Sequence, residues 1–247
     1  MRLAVIACRI FTRELSRLVS ESDNICYIYW LEQGLHNTPE LLRKKLQQQI
    51  NAIETEQEDD TLHRKFDAIV LAYGLCSNGI IGISSKSLPI VAPRCDDCIA
   101  LFLGSQNRYL DLFHSKNGIY WYNDGWIEIG SVPSQEHYRQ LLQEYTEQYG
   151  EDNAQYLLDV ELTSLKKYES CIYIKSSAYW NEKNWQLTNE AADYFKWNLT
   201  KVDGDSSYLK ALLSGNWDSD RFLICPKGKT IGLTFDKGNN TNYIIES

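Results

Sequence analysis

Residues 67–82 read DAIVLAYGLCSNGIIG, and this stretch decides the fold. Ala68–Ala72 are apolar without alternation, which suits a strand covered on both faces. The run breaks at Gly74, Cys76 follows, and small residues continue to Gly82. A buried strand that ends in a glycine-rich turn carrying a thiol matches the C-terminal end of a strand in an open α/β sheet, where ligands bind.

Three similar runs occur in the first hundred residues: LAVIAC (3–8), ICYIYWL (25–31) and LPIVAP (88–93). FTRELSRLVSES (11–22) between the first two predicts a helix with Thr12 as N-cap. After the second, residues 37–60 predict a longer helix. Pro39 suits its first turn, Leu42, Leu46, Ile50 and Ile53 share one face, and the polar tail Glu54–Asp60 ends it. Strands alternating with helices predict a parallel sheet with right-handed crossovers.

GIYWYNDGWIEIG (118–130) predicts an aromatic hairpin. A long polar helix over 134–168 follows, preceded by Pro133 and interrupted at Gly150. Beyond it the pattern gives strand SCIYIKSS (170–177), helix NEAADYFKWN (189–198), strand LTKVDGD (199–205), helix SSYLKALLSG (206–215) and strand FLICPKG (222–228). The expected class is α/β: two Rossmann-like lobes with mainly parallel sheets facing a cleft, plus the aromatic hairpin. Residues 1–132 form the N-terminal lobe with its hairpin. Residues 133–247 form the connecting helix and a smaller C-terminal lobe.

With 43% hydrophobic and 23% charged residues, the composition is that of a soluble globular protein. No run approaches the roughly 18 uncharged apolar residues of a membrane helix. The start, MRLAVIACRIFTREL, reads as a first core strand rather than a signal peptide. A net charge of −8 argues against nucleic acid or an anionic membrane as partner. Seven dispersed cysteines without a secretory signal predict free thiols in the cytoplasm.

The cysteines are not evenly placed. Cys8 closes the first strand, His36 follows the second, Cys76 the third, Cys95 and Cys98 the fourth, and Cys225 closes the last. Cys26 and Cys171 fall near strand beginnings and read as core fillers. The strand-end set predicts a metal site with Cys8, Cys76 and Cys98 as ligands. Its fourth position is left to water, His36, Cys95, Cys225 or substrate. Cys225 equally suits core packing beside Pro226.

Around this set, Gly74 and Gly79 let the chain turn and a small ligand approach, and Ser77 and Asn78 line the same turn. The turn is expected beside a helix start, whose dipole favours a Cys76 thiolate. Arg94 is a candidate anion contact, as is Lys227, and Asp97 a candidate orienting group. RCDDC (94–98) is a lone C-x-x-C. With no second pair it does not suit a closed zinc knuckle, and its two aspartates oppose thiolate formation.

In order along nearly the whole chain stand LAVIAC with REL, LHNTPELL, YGLCSNGIIG, PRCDDCIALFLGS and GIYWYNDGW, with a weaker match in LLSGNWDSDRFLICPKGKTI. Together they resemble a domain-of-unknown-function family, number sixteen-thirty-eight, of methanogenic archaea and bacteria. The resemblance implies Cys8, Cys76 and Cys98 as the matched thiols and adds weight to His36 and Asn37. It sets Cys95 apart, since relatives carry alanine there. Some members lie near corrinoid-dependent methyltransferase genes, which implies a link to corrinoid chemistry.

The function expected is a metal-binding protein with a three-cysteine site at the strand ends. Zinc is the expected ion, and an iron–sulfur cluster or a corrinoid is the alternative cofactor. In an enzymatic form it transfers a methyl or small group to a thiol or corrinoid substrate. His36 then acts as acid, base or ligand and Cys76 as the working thiol. Its partners would be a small-molecule or thiol substrate and a corrinoid protein. The alternative is a non-catalytic module that holds a metal or cofactor for delivery or sensing.

Overall fold

Leu3–Ala7 are fully shielded from solvent, as are Ala68–Ala72. This is the burial expected of continuous apolar runs in the middle of a parallel sheet. The structure is a computed structural model describing residues 1–58, 65–233 and 243–246. Two compact units divide the chain: Met1–Tyr109 with Asp205–Ser247, and Leu110–Gly204.

The first unit opens with β1 (Arg2–Cys8), α1 (Thr12–Ser20), β2 (Ile25–Leu31), α2 (Pro39–Glu58), β3 (Ala68–Ala72), β4 (Ile90–Pro93) and α3 (Cys98–Leu103). The chain leaves it within α4 (Gln106–Ser115). The second unit holds β5 (Ile119–Asn123), α5 (Asp124–Ile129), α6 (Gln135–Tyr149), α7 (Glu151–Leu165), β6 (Ser170–Lys175), α8 (Glu182–Phe195) and β7 (Asn198–Asp203). The chain then returns to the first unit with α9 (Ser207–Leu213), β8 (Phe222–Cys225), β9 (Thr230–Leu233) and β10 (Tyr243–Glu246).

The main sheet has the order β2-β1-β3-β4-β8. Its first four strands run parallel. β8 joins antiparallel to β4, with Ile90 opposite Cys225 and Pro93 opposite Phe222. Leu42, Leu46, Ile50 and Ile53 of α2 are fully buried, as their spacing predicts. Each such side chain contributes about 1.5–3 kcal/mol by leaving water. Helix α2 reaches Glu58, so the end of its expected polar tail, Asp59 and Asp60, lies outside the described residues.

The second unit has a parallel sheet of order β5-β6-β7. Its aromatic residues pack inward: Tyr122 and Tyr173 are fully buried, and Tyr120 stacks on Trp197 with ring centres 5.5 Å apart. The long polar helix divides at Gly150, which adopts φ +82°, into α6 and α7.

Three expectations are corrected. Residues 118–130 form no hairpin: Asn123 turns from strand to helix by accepting the Trp126 N–H at 2.9 Å, and β5 pairs with β6 instead. The boundary at 132/133 does not divide the units, because α9 and β8 belong with the first. The run 25–31 is not covered on both faces. It is an edge strand with Ile25 and Tyr27 exposed. Among the described residues, no helix is long and apolar enough to cross a membrane.

Candidate functional site

In the main sheet the chain winds outward from β1 to β2 on one side and from β3 to β4 on the other. Connections diverge at the β1/β3 boundary, so the C-terminal ends of these two strands mark the switch point at which ligands usually bind in such sheets. The last paired row there is Ala7 with Ala72. The next residues along are Cys8 and Tyr73.

Beyond Tyr73, Gly74 runs against the segment that leads into α3. A Cβ on Gly74 would stand 2.6 Å from Asp97 Cα. Leu75 N–H donates to the Cys95 carbonyl at 2.8 Å and Cys76 N–H to the Asp96 carbonyl at 3.0 Å. This pairing brings Cys76 to Cys98, the first residue of α3. Asp97 caps that helix by accepting the Ile99 N–H at 2.7 Å.

Cys76, Ser77 and Asn78 all take positive φ, at 46°, 56° and 67°. Three consecutive non-glycine residues in this region cost roughly 1–2 kcal/mol each, a strain that persists only where surrounding contacts hold it and that clusters at functional sites. The turn closes through Gly79 N–H to the Leu75 and Cys76 carbonyls, both at 3.0 Å. No helix follows the turn directly; the helix start beside Cys76 is that of α3, whose first residue is Cys98.

All seven cysteines are free thiols. Contact with Cys76 pushes the Cys98 thiol well up, and burial adds to the effect. Burial pushes Cys8 up to about 11, while the Ile10 N–H and the Tyr73 hydroxyl oppose the rise by favouring its thiolate. Cys76 also lies within charge–charge reach of Cys8, and Cys8 within reach of Cys98. Cys98 thus touches Cys76, and Cys8 lies within charge–charge reach of both. Among the described residues, however, no group of three or more His, Cys, Asp or Glu side chains stands ready-arranged as a metal cage.

Tyr73 is the residue that sequence reasoning missed. Its ring is 4% exposed, and its hydroxyl is buried without a hydrogen bond of ordinary geometry. Burial pushes its ionisation up, and the charges of Cys8, Cys76 and Cys98 push it further. The Tyr73 hydroxyl thus lies near all three sulfurs and acts most directly on Cys8. The available signal was its position, a polar-tipped aromatic between the end of a buried strand and the glycine of the turn.

The remaining candidates separate. Cys225 lies opposite Ile90, whose row continues through Ile69 to Ala4. That row is four residues short of Cys8, about 13 Å along the strands. The antiparallel entry of β8 sets Cys225 at the far edge of the sheet, away from the three thiols. His36 lies in a short 3₁₀ turn after β2, and burial alone lowers its basicity, with no thiol contributing. Cys95 is fully buried and faces Cys76, Asp97 and Asp96.

Gly74 and Gly79 admit protein atoms rather than a ligand: the Gly79 Cβ position lies 2.4 Å from Leu42 Cδ2 of α2. Arg94 Nε donates to the Ser219 carbonyl at 2.9 Å, a bond that ties the end of β4 to the loop before β8. Asp97 is held by α3, and burial pushes its carboxyl up to about 6. Ser77 and Asn78 remain exposed on the turn.

No curated protein and no solved structure matches the chain. A family model matches residues 30–213, which include His36, Tyr73, Cys76 and Cys98 and leave out Cys8 and Cys225. The chain therefore belongs to the family described as protein of unknown function, DUF1638.

Proposed function

We propose that the switch point between β1 and β3 is a metal centre in which Cys8, Cys76 and Cys98 supply thiolates and a fourth position stays open to substrate. The observation that carries this reading is the contact of Cys98 with Cys76, with Cys8 and the buried hydroxyl of Tyr73 close by. Crowding raises the energy of thiolates without a cation, and a cation reverses that sign. Two groups, the Ile10 N–H and the Tyr73 hydroxyl, already favour the thiolate of Cys8.

The donor set suits a thiophilic ion, and three sulfurs with an open position suit zinc. An iron–sulfur cluster is the less favoured ion set, since Cys225 lies at the opposite edge of the sheet. When bound, zinc would supply Lewis acidity that lowers the pKa of a substrate thiol. The chain's part would be to hold that thiol beside Tyr73 and to exclude water with the buried strand ends. The enzymatic extension is methyl or small-group transfer to a thiol or corrinoid substrate, with a corrinoid protein as partner. Free thiols of this kind need a reducing compartment such as the cytoplasm.

A second reading, a non-catalytic module for metal or cofactor delivery or sensing, is favoured by the position of His36. Its basicity is set by burial alone, with no coupling to the thiols. Elemental analysis of anaerobically purified protein tests the centre. About one zinc per chain is expected, lost in Cys8→Ser, Cys76→Ser and Cys98→Ser and kept in Cys225→Ser. A metal-free chain that resists reconstitution with zinc or with iron and sulfide overturns it. Methyl transfer from methylcobalamin to a thiol, abolished in Cys76→Ala, separates enzyme from module.

A further inference from the structure

We propose that Cys76 and Cys98 form a reversible intramolecular disulfide, a modification that removes two of the three sulfur donors at once. The crosslink stands on the placement of the two residues; the release of a metal with it rests on the reading above.

The obvious dithiol in the sequence is Cys95 with Cys98, a C-x-x-C pair. Cys95 is fully buried, and the charges that act on its thiol are those of Cys76, Asp97 and Asp96. Cys98 instead touches Cys76. The contact is built from the backbone: two hydrogen bonds, Leu75 N–H to Cys95 O and Cys76 N–H to Asp96 O, lock segment 74–76 beside segment 95–97. Close packing of Gly74 on Asp97 prevents the two from sliding apart. Cys98 is half-buried as a residue and Cys76 more deeply so.

The oxidant is a small-molecule disulfide of the glutathione class. One of the two protein sulfurs, as its thiolate, attacks a sulfur of the oxidant, expels a small thiolate and forms a mixed disulfide. The other protein sulfur, as its thiolate, then attacks the protein sulfur of that mixed disulfide and expels the second small thiolate. Two protein S–H bonds are broken and one S–S bond is made. The two protons and two electrons leave on the two small thiols, so the step is balanced and is reversed by excess thiol.

The test is exposure of the anaerobically purified full chain to glutathione disulfide, blocking of free thiols, and peptide mapping. Metal release is followed in parallel by a chelating dye. The expected result is a Cys76–Cys98 crosslink that excess reductant removes, persists in Cys8→Ser and is absent in Cys76→Ser. Absence of a crosslink in the wild-type chain, or a dominant Cys95–Cys98 or Cys76–Cys95 crosslink, overturns the proposal. A crosslink in a chain that neither carries nor binds metal sinks the metal reading and leaves this inference standing. A metal-loaded chain without the crosslink does the reverse.

Discussion

Gly74 approaches Asp97 so closely that a Cβ on the glycine would lie 2.6 Å from the aspartate Cα and 2.7 Å from its carbonyl carbon. Both obstacles are backbone, so neither can rotate away. Gly74→Ala should therefore separate the turn after β3 from the start of α3, at about 1–3 kcal/mol by analogy with overpacked cores. Urea unfolding reads the loss, and a midpoint equal to wild type would show that the two segments are not held together. The same variant should weaken the approach of Cys76 to Cys98, read as a slower crosslink.

Glu54 gives a pH dependence with a definite sign. Its Oε1 accepts from Ser85 Oγ, Lys86 N–H, Ser87 N–H and Ser87 Oγ, at 2.7 to 2.9 Å. Burial pushes the carboxyl up, but these four donors outweigh it and the net direction is down. A depressed native value means stability present above the ordinary value of 4.5 and lost as the pH falls below it through the native value. Glu54→Ala should cost about 2–3 kcal/mol at neutral pH, since hydrogen bonds to a charged group are worth more than neutral ones. The gap between the two proteins should close in acid. Chemical denaturation across that range reads it, and a gap that stays constant would assign the loss to packing alone.

β1, β3 and β4 were legible because a run buried on both faces needs no partner to be recognised, and the equally apolar run 25–31 was found as a strand although it proved to be an edge. Their order also places the residues after β1, β3 and β4 at one edge, since parallel strands bring their C-terminal ends together. What an apolar run does not state is its neighbour. FLIC carries the same composition whether it extends a second sheet or returns to the first, and its return moved Cys225 to the wrong edge for a shared site. Asn123 shows the same limit locally: Asn-Asp-Gly serves a tight hairpin turn or a helix cap equally well, and long-range pairing of β5 with β6 selects the cap. Tyr73 was hidden because a tyrosine at the end of an apolar strand reads as packing until its hydroxyl is found without a partner.

In the second unit, Asp124 Oδ1 accepts from the Tyr173 hydroxyl and from Asn184 Nδ2, both at 2.8 Å, in a site 1% exposed. Asp124→Ala leaves two buried donors unsatisfied and should cost about 2–4 kcal/mol. Asp124→Asn keeps an acceptor oxygen and should cost less. Thermal unfolding with near-UV circular dichroism reads the difference, because Tyr173 lies against Trp180 and Trp185 with ring centres 5.9 and 5.3 Å away. Equal losses in the two variants would show that the negative charge, not the acceptor, is what the site requires.

Tyr73→Phe separates a structural hydroxyl from a working one. A buried hydroxyl without a hydrogen bond of ordinary geometry leaves most of its desolvation penalty uncompensated, so its removal should leave the metal-free chain unchanged or more stable by about 1 kcal/mol. If the hydroxyl supports the Cys8 sulfur as its position indicates, the same change should weaken zinc retention by about 10–100-fold, the range for groups that orient metal ligands. Competition with a chelating dye and urea unfolding of the stripped chain read the two quantities separately. A stability loss with unchanged zinc affinity would make Tyr73 a packing residue and leave the three thiols without the group that singles out their meeting point.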